Sequence, residues 1–238
     1  YLRQPTTVNN VETLATAAQI LVHGAAWFTS LGIPKSAGTK LLSVSGDCPA
    51  PGVYEVEFGL TVQELLDMVG AKNVRAVQIG GPSGTCLSRS GFGRRISFTD
   101  LATGGSVIVF GPDRDIFEVV ESFMEFFVEE SCGWCTPCRA GNVLLKRKFE
   151  KVVASRGAAQ DLKDLEDWGK LVKATSRCGL GQTSPNPILT TLLNFRELYE
   201  AKIQQGADFV PDFDLRAALQ EGCTAAHRQP ECKESLHD

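Results

Sequence analysis

The chain has no apolar run that approaches the roughly 20 residues a helix needs to cross a bilayer. Its most apolar stretch, Phe117 to Val128, is broken by Glu118, Glu121 and Glu125. A strong excess of one charge is also missing. The 24 basic and 28 acidic side chains leave a net charge of −4, which gives no footprint for nucleic acid and no cationic face for anionic lipid. Neither nucleic-acid binding nor direct membrane insertion is therefore expected. No secretory leader is expected, and no internal repeat is visible in these residues. Cysteine is too sparse for a disulfide scaffold, with 8 in 238 residues, four of them clustered. That usage points to metal ligation in a reducing compartment, here taken as the cytoplasm. His23 and His237 have no nearby partner in sequence. No Ser–His–Asp set or carboxylate pair stands out, so hydrolysis has little support. The chain also opens on Tyr1 rather than Met, and its first residues read as the middle of something. A fragment or a processed chain is expected.

What remains is enough to bury a sizeable core, since 43% of the residues are apolar and 22% charged. Asn9 or Asn10 is a good N-cap for a helix running to about Val22, with Leu14, Ala17, Ala18 and Leu21 at helical spacing. From Lys40 to about Gly111 the pattern changes to short strands: Lys40 to Ser45, Val53 to Glu57, Val74 to Ile79 and Ser106 to Phe110. Thr61 and Glu64 form a capping box, which places a short helix between the second and third strands. From Asp115 onward the pattern is helical. One helix covers Asp115 to Glu130. A second has Thr136 as N-cap and Pro137 as its first residue, and runs to about Ser155. A third carries Leu162, Leu165, Trp168 and Val172 on one face and ends near Thr175. A fourth starts at Asn186-Pro187 and continues through Tyr199 to Ile203. Four amphipathic helices with short connections read as a bundle. The tail after Gly206 is polar, with a possible short helix from Leu215 to Leu219.

The chemistry lies in Glu130-Ser131-Cys132-Gly133-Trp134-Cys135-Thr136-Pro137-Cys138-Arg139. Cysteine recurs there at every third residue, and Cys178 follows forty residues later, between the third and fourth helices. A cubane cluster takes four thiolates, one per iron, from different directions. A tight loop can reach three irons and a neighbouring loop the fourth. A structural zinc site more often takes two separated pairs, which a triplet plus a singlet fits poorly. The first turn of the second helix favours a thiolate at Cys138. Gly133 and Gly179 should let the backbone approach the cluster sulfurs, Arg139 and Arg177 should balance negative charge, and Trp134 should cap the loop against water. Gly80 to Gly84 reads as a turn, since it lacks the lysine of a P-loop. Cys48 and Cys86 read as partly buried fillers. Cys223, Cys232 and His227 read as members of a solvated tail.

The string Glu-Ser-Cys-Gly-x-Cys-x-Pro-Cys-Arg-x-Gly, here Glu130 to Gly141, resembles the family of NADH-binding flavoprotein subunits (51-kDa-type or diaphorase). That family includes the subunits of complex I and of NAD-linked hydrogenases and formate dehydrogenases. Pro5 to Thr13, Gly38-Thr-Lys-Leu, Pro51 to Glu55 and Gly80 to Gly84 resemble the same family. Trp168-Gly169, Thr175 to Pro185 and Pro187 to Thr191 look most like the flavoprotein subunit of NAD-reducing [NiFe] hydrogenase. The resemblance implies an α+β fold in which a small β-grasp (ubiquitin-like, SLBB-type) domain precedes a four-helix bundle holding one [4Fe–4S] cluster on Cys132, Cys135, Cys138 and Cys178. Residues 1–35 would be the end of a flavin-binding domain with a linking helix, 36–112 the β-grasp domain, 113–206 the cluster domain and 207–238 a tail. It further implies that Val8, Asn9 and Asn10 lie beside FMN. Electrons would pass between FMN, reduced by NADH in the intact protein, and [2Fe–2S] or other iron–sulfur subunits of a diaphorase, hydrogenase or complex I-like assembly. The principal FMN and NADH loop is not among these residues, so the chain alone is not expected to oxidise NADH. From a different class, a non-redox interaction module with a structural metal is the competing expectation.

Overall fold

The structure is a computed structural model, and it describes residues 1–204, 220 and 223–227. Helix α1 (Val11–His23) starts where Asn10 Oδ1 accepts the Thr13 N–H at 3.1 Å. Of the two candidate caps, Asn10 takes the role. Gly24 ends the helix, and α2 (Ala25–Ser30) follows, carrying Trp27 and Phe28. None of the residues of α1 is buried. The helix is held to the next unit by Glu12, whose carboxylate accepts the Leu41 N–H at 2.7 Å and pairs with Lys40.

The two-residue strands β1 (Gly32–Ile33) and β2 (Ser36–Ala37) form a small hairpin. A mixed sheet is then built from β3 (Thr39–Gly46), β4 (Gly52–Glu57), β5 (Ala76–Ile79), β6 (Thr85–Ser88) and β7 (Ser106–Phe110), in the order β4-β3-β7-β5-β6. β3 and β7 run parallel at the centre, with Val44 opposite Val107, and the other pairs are antiparallel. Helix α3 (Val62–Met68) covers one face, and the Thr61–Glu64 capping box that starts it is formed in both directions. Leu65 and Leu66 of α3 bury against Leu42, Val44, Val77, Val107 and Val109 of the sheet. A hairpin, a covering helix and a last strand returning parallel to the first is the expected β-grasp arrangement. Strand β6 is not among the sequence-predicted strands, because Thr85-Cys-Leu-Ser is short and sits between glycine-rich and serine-rich stretches. Gly80 to Gly84 is the turn that precedes it, with Gly80 and Gly81 both at positive φ.

The helical half begins with α4 (Ile116–Glu129), whose cap Asp115 Oδ1 accepts the Phe117 N–H at 2.8 Å. Then come α5 (Thr136–Val153), α6 (Ala159–Thr175), α7 (Gly179–Thr183), α8 (Asn186–Asn194) and α9 (Arg196–Glu200). Apolar positions three and four apart meet in one core: Val120, Met124, Leu145, Phe149, Leu162, Leu165, Ile188 and Leu192. Two boundaries differ from expectation. The cap of α5 is Cys135 rather than Thr136, which is already helical, so Pro137 is the second helical residue. The expected fourth helix is interrupted at Phe195, whose backbone (φ −139°, ψ 40°) leaves the helical range while its ring joins the core. Tyr199 of α9 is fully buried and bonds the Thr191 hydroxyl at 2.6 Å. The short α7 is absent from the sequence reading because five residues containing two glycines carry no helical period. The possible helix at Leu215 to Leu219 lies outside the described residues, as do Cys232 and His237.

The sheet and the bundle share a core. Ala76, Cys86 and Phe110, on the sheet face opposite α3, pack into the helical cluster. The edge strand β6 is covered by α8, a common remedy for an open sheet edge. The Cys86 N–H donates to Thr190 Oγ1 at 3.2 Å, Asn194 Nδ2 donates to the Cys86 carbonyl at 3.0 Å, and Asn186 Nδ2 donates to the Ser83 carbonyl at 2.6 Å. Burial pushes the Cys86 thiol up to about 12, the behaviour of an inert filler.

Gly141, at the end of the cysteine motif, lets α5 and α6 approach. A Cβ there would overlap Val172 Cγ2, and valine has little rotamer freedom in a helix. Gly141→Ala is expected to lower stability. The overpacking should cost about 1–3 kcal/mol, offset by the roughly 1 kcal/mol that alanine gains over glycine in a helix. Urea unfolding of the two chains measures the balance.

Candidate metal centre

The three-cysteine loop runs from the end of α4 into the first turn of α5. Gly133 sits at φ +75°, a conformation that side-chain-bearing residues rarely adopt, and turns the loop between Cys132 and Cys135. Arg139 Nη1 donates to the Gly133 carbonyl at 2.9 Å and fixes that turn, so this arginine orders the loop directly. Cys138 is the third residue of α5 and is buried, whereas Cys135 is half-buried and Cys132 exposed. Cys178 is the N-cap of α7 and is exposed.

The second loop comes up against the first. The backbone N–H groups of Arg177 and Cys138 are oriented to favour a negative charge on the Cys135 sulfur. Together, with a smaller contribution from the Arg177 guanidinium, they hold the Cys135 thiol below the ordinary cysteine value. The same guanidinium sits 5.9 Å from the centre of the Trp134 ring. Trp134 itself is 76% exposed, so the expectation that it shields the loop from water is corrected: its indole stands out in solvent. A Cβ on Gly179 would meet no protein atom. The close approach occurs at Gly181, where a Cβ would lie 3.1 Å from Cys138 Cβ and 2.7 Å from Ser176 Oγ.

Behind Cys138 lies a polar lining that sequence reasoning did not single out. Ser131 Oγ is 3.3 Å from Cys138 Sγ, and Asn142 Nδ2 donates to that sulfur at 3.5 Å. Asn142 is fully buried one turn along α5, and its Oδ1 accepts from Ser184 Oγ at 2.7 Å. The signal for Asn142 was its position, an amide among the apolar residues of the inward face of α5. Among the described residues no three Cys, His, Asp or Glu side chains gather into a coordination shell. The local chemistry nevertheless suits a thiolate-bound iron–sulfur group better than a hard cation. Sulfur is the available ligand, polar groups face two of the thiols, and Gly181 brings the second loop close against Cys138.

Val8, Asn9 and Asn10 lie far along the chain from this loop and are exposed. The Asn10 side-chain oxygen is already engaged in capping α1. Cys48 is half-buried, with its thiol raised mainly by burial. Cys223 is half-buried and His227 exposed.

Residues 118–202 match the family model described as the NADH-ubiquinone oxidoreductase-F iron–sulfur binding region. The NAD-reducing hydrogenase HoxS subunit alpha of Cupriavidus necator is 54% identical over 221 residues, 92% of this chain and 37% of that one. The NADP-reducing hydrogenase subunit HndC of Solidesulfovibrio fructosivorans is 36% identical over 85% of this chain and 44% of its own. An NADH-quinone oxidoreductase subunit of Mycobacterium tuberculosis is 32% identical over 85% and 48% respectively. A crystal structure of NAD+-reducing [NiFe]-hydrogenase in the H2-reduced state superposes with a TM-score of 0.86 at 39% identity, covering 97% of this chain and 41% of that one. The chain thus spans less than half the length of these relatives. No described helix is long and apolar enough to cross a membrane.

Proposed function

Because residues 118–202 belong to the NADH-ubiquinone oxidoreductase-F iron–sulfur binding family and the chain corresponds to the C-terminal part of NADH-binding flavoprotein subunits, we propose that it is the electron-transfer portion of an NAD(H):acceptor flavoprotein. Its task in this reading is to hold one [4Fe–4S] cluster between a flavin and further iron–sulfur centres. Cys132, Cys135, Cys138 and Cys178 are the ligands we assign. The observation that carries the assignment is the meeting of the two loops, with Gly181 against Cys138 and the Arg177 guanidinium beside the Trp134 ring. When bound, the cluster supplies a one-electron store.

The chain's own residues supply the rest. The N–H groups of Arg177 and Cys138 favour the thiolate at Cys135. Ser131 Oγ lies beside Cys138, Asn142 directs an amide donor at it, and Asn142 is held in place by Ser184. Arg139 keeps the first loop in the turn that spaces its cysteines. We assign residues 1–35 to the edge of a flavin-binding domain, with Val8, Asn9 and Asn10 facing FMN. Residues 36–112 form the β-grasp part and 113–206 the cluster part. The partners we propose are [2Fe–2S] or other iron–sulfur subunits of a hydrogenase or complex I-like assembly, in the cytoplasm. The relatives are themselves named as subunits, and the non-redox alternative is not favoured by this likeness.

Anaerobically reconstituted chain is expected to carry about four irons and four sulfides. It should show a broad visible absorbance that dithionite bleaches. Bound zinc with a spectrum indifferent to reductant would refute the reading.

A further inference from the structure

Among the described residues, Ser176 Oγ is the buried side-chain polar atom that finds no hydrogen-bond partner. The residue is 5% exposed and caps the C-terminus of α6. Its backbone is fully used: the N–H donates to the Val172 carbonyl at 3.0 Å, and its carbonyl accepts from Gln182 Nε2 at 3.1 Å. Only the hydroxyl is left over. A buried hydroxyl without a partner is costly, and alanine would fit the same backbone without that cost. The other buried polar side chains beside it behave differently, since Asn142 and Ser184 satisfy each other.

The position of this hydroxyl indicates what it serves. It borders Gly181, which also touches Cys138, so the hydroxyl and the Cys138 side chain are neighbours across one glycine. Two residues along the chain is Cys178. Ser176 therefore lies beside one of the assigned ligands, in the loop that carries another. We propose that Ser176 donates a hydrogen bond to a sulfur of the cluster at its Cys138 corner, and that this bond raises the cluster's reduction potential. The physical reason is charge. Reduction adds an electron to an already anionic group, and a hydroxyl dipole aimed at sulfur stabilises the more negative state. This role presupposes that the chain holds the cluster.

The test compares wild-type and Ser176→Ala full-length chains, both reconstituted anaerobically and titrated with reductant while the reduced cluster is followed by electron paramagnetic resonance. The one-electron reduction constant should fall about tenfold in S176A, a midpoint about 59 mV lower. Electron–nuclear double resonance of the reduced wild type should also show an exchangeable proton, lost in D2O, that S176A lacks. A midpoint that does not fall, or a proton signal that persists in S176A, overturns the role while leaving the cluster reading intact. Ser176→Gly provides a second hydroxyl deletion if S176A loads poorly. Failure of both variants to hold iron, with wild type fully loaded, means the hydroxyl is structural and also overturns it. A wild-type chain that binds no cluster removes both this role and the reading beneath it.

Discussion

Cys138→Ala should leave the chain folded but unable to hold a stoichiometric four-iron cluster, with iron content falling from about four to well below one per chain, since a cubane needs a ligand at each iron. This thiol is the best protected of the four, buried in the first turn of α5 with Ser131 Oγ at 3.3 Å and an amide donor from Asn142. Water or a nearby oxygen can take the place of an exposed ligand lost from a loop. At Cys138 the surroundings are a glycine, an amide that donates toward the sulfur and two hydroxyls, none of them a carboxylate or imidazole. Fold loss should be modest, because alanine keeps the helical turn and removes no ion pair. Cys48→Ala is the control, since that half-buried thiol lies in the sheet half and should be dispensable for iron. Iron and sulfide analysis after anaerobic reconstitution, with circular dichroism to confirm folding, decides the matter. A C138A chain that retains four irons and a bleachable spectrum would remove Cys138 from the ligand set.

Asp161→Asn should destabilise the helical half strongly, with about 3 kcal/mol, the low end for a broken buried pair, as the expected loss. The Asp161 carboxylate is buried near the start of α6 and receives three donors: Lys148 Nζ at 2.7 Å, Lys151 Nζ at 3.0 Å and the Ala158 N–H at 2.8 Å. Lys151 is only 4% exposed. Asparagine keeps the shape but takes away a charge that faces both ammonium groups, of which Lys148 retains Asp164 at 3.0 Å. Burial alone would raise this carboxyl. Lys148, the Ala158 N–H and Lys151 outweigh burial and hold it below the ordinary aspartate value. Stability from this group is therefore present above the unfolded aspartate value near 3.9 and lost as pH falls through the lower folded value. Wild type should exceed D161N most at pH 7 in urea unfolding, and the gap should narrow below about pH 4. A gap independent of pH would show that packing, not charge, is what Asp161 supplies.

Local signals in the sequence were legible where a residue's own backbone decides the structure. Asn10 and Thr61 with Glu64 cap helices, because a side-chain oxygen beside bare N–H groups needs no long-range information. β7 appears at its expected limits because Val107, Ile108 and Val109 form an uninterrupted apolar run of the kind a central strand needs. The misses depend on distant partners. β6 exists because β5 pairs with it and α8 covers it. Phe195 breaks its helix because the core accepts its ring. In the site, the cysteine spacing and the glycine of the loop were readable, while Gly181, Asn142 and Ser176 were not. Gly181 and Ser176 matter through a close approach to Cys138 from about 40 positions away, which nothing local marks, while Asn142 stood out only as an amide on an otherwise apolar helix face. Trp134 misled because tryptophan beside reactive sulfur invites the idea of a shield, and the loop leaves it outside.

The shared packing of sheet and bundle limits how the molecule can be divided. A shortened chain beginning at residue 113 would keep every proposed iron ligand but bare the helical residues that Ala76, Cys86 and Phe110 now cover. It would also strip Thr190, Asn194 and Asn186 of their acceptors and donor on β6 and its turn. Anyone seeking a minimal redox protein from this scaffold would have to carry the sheet along or redesign the flank of α8 with polar side chains.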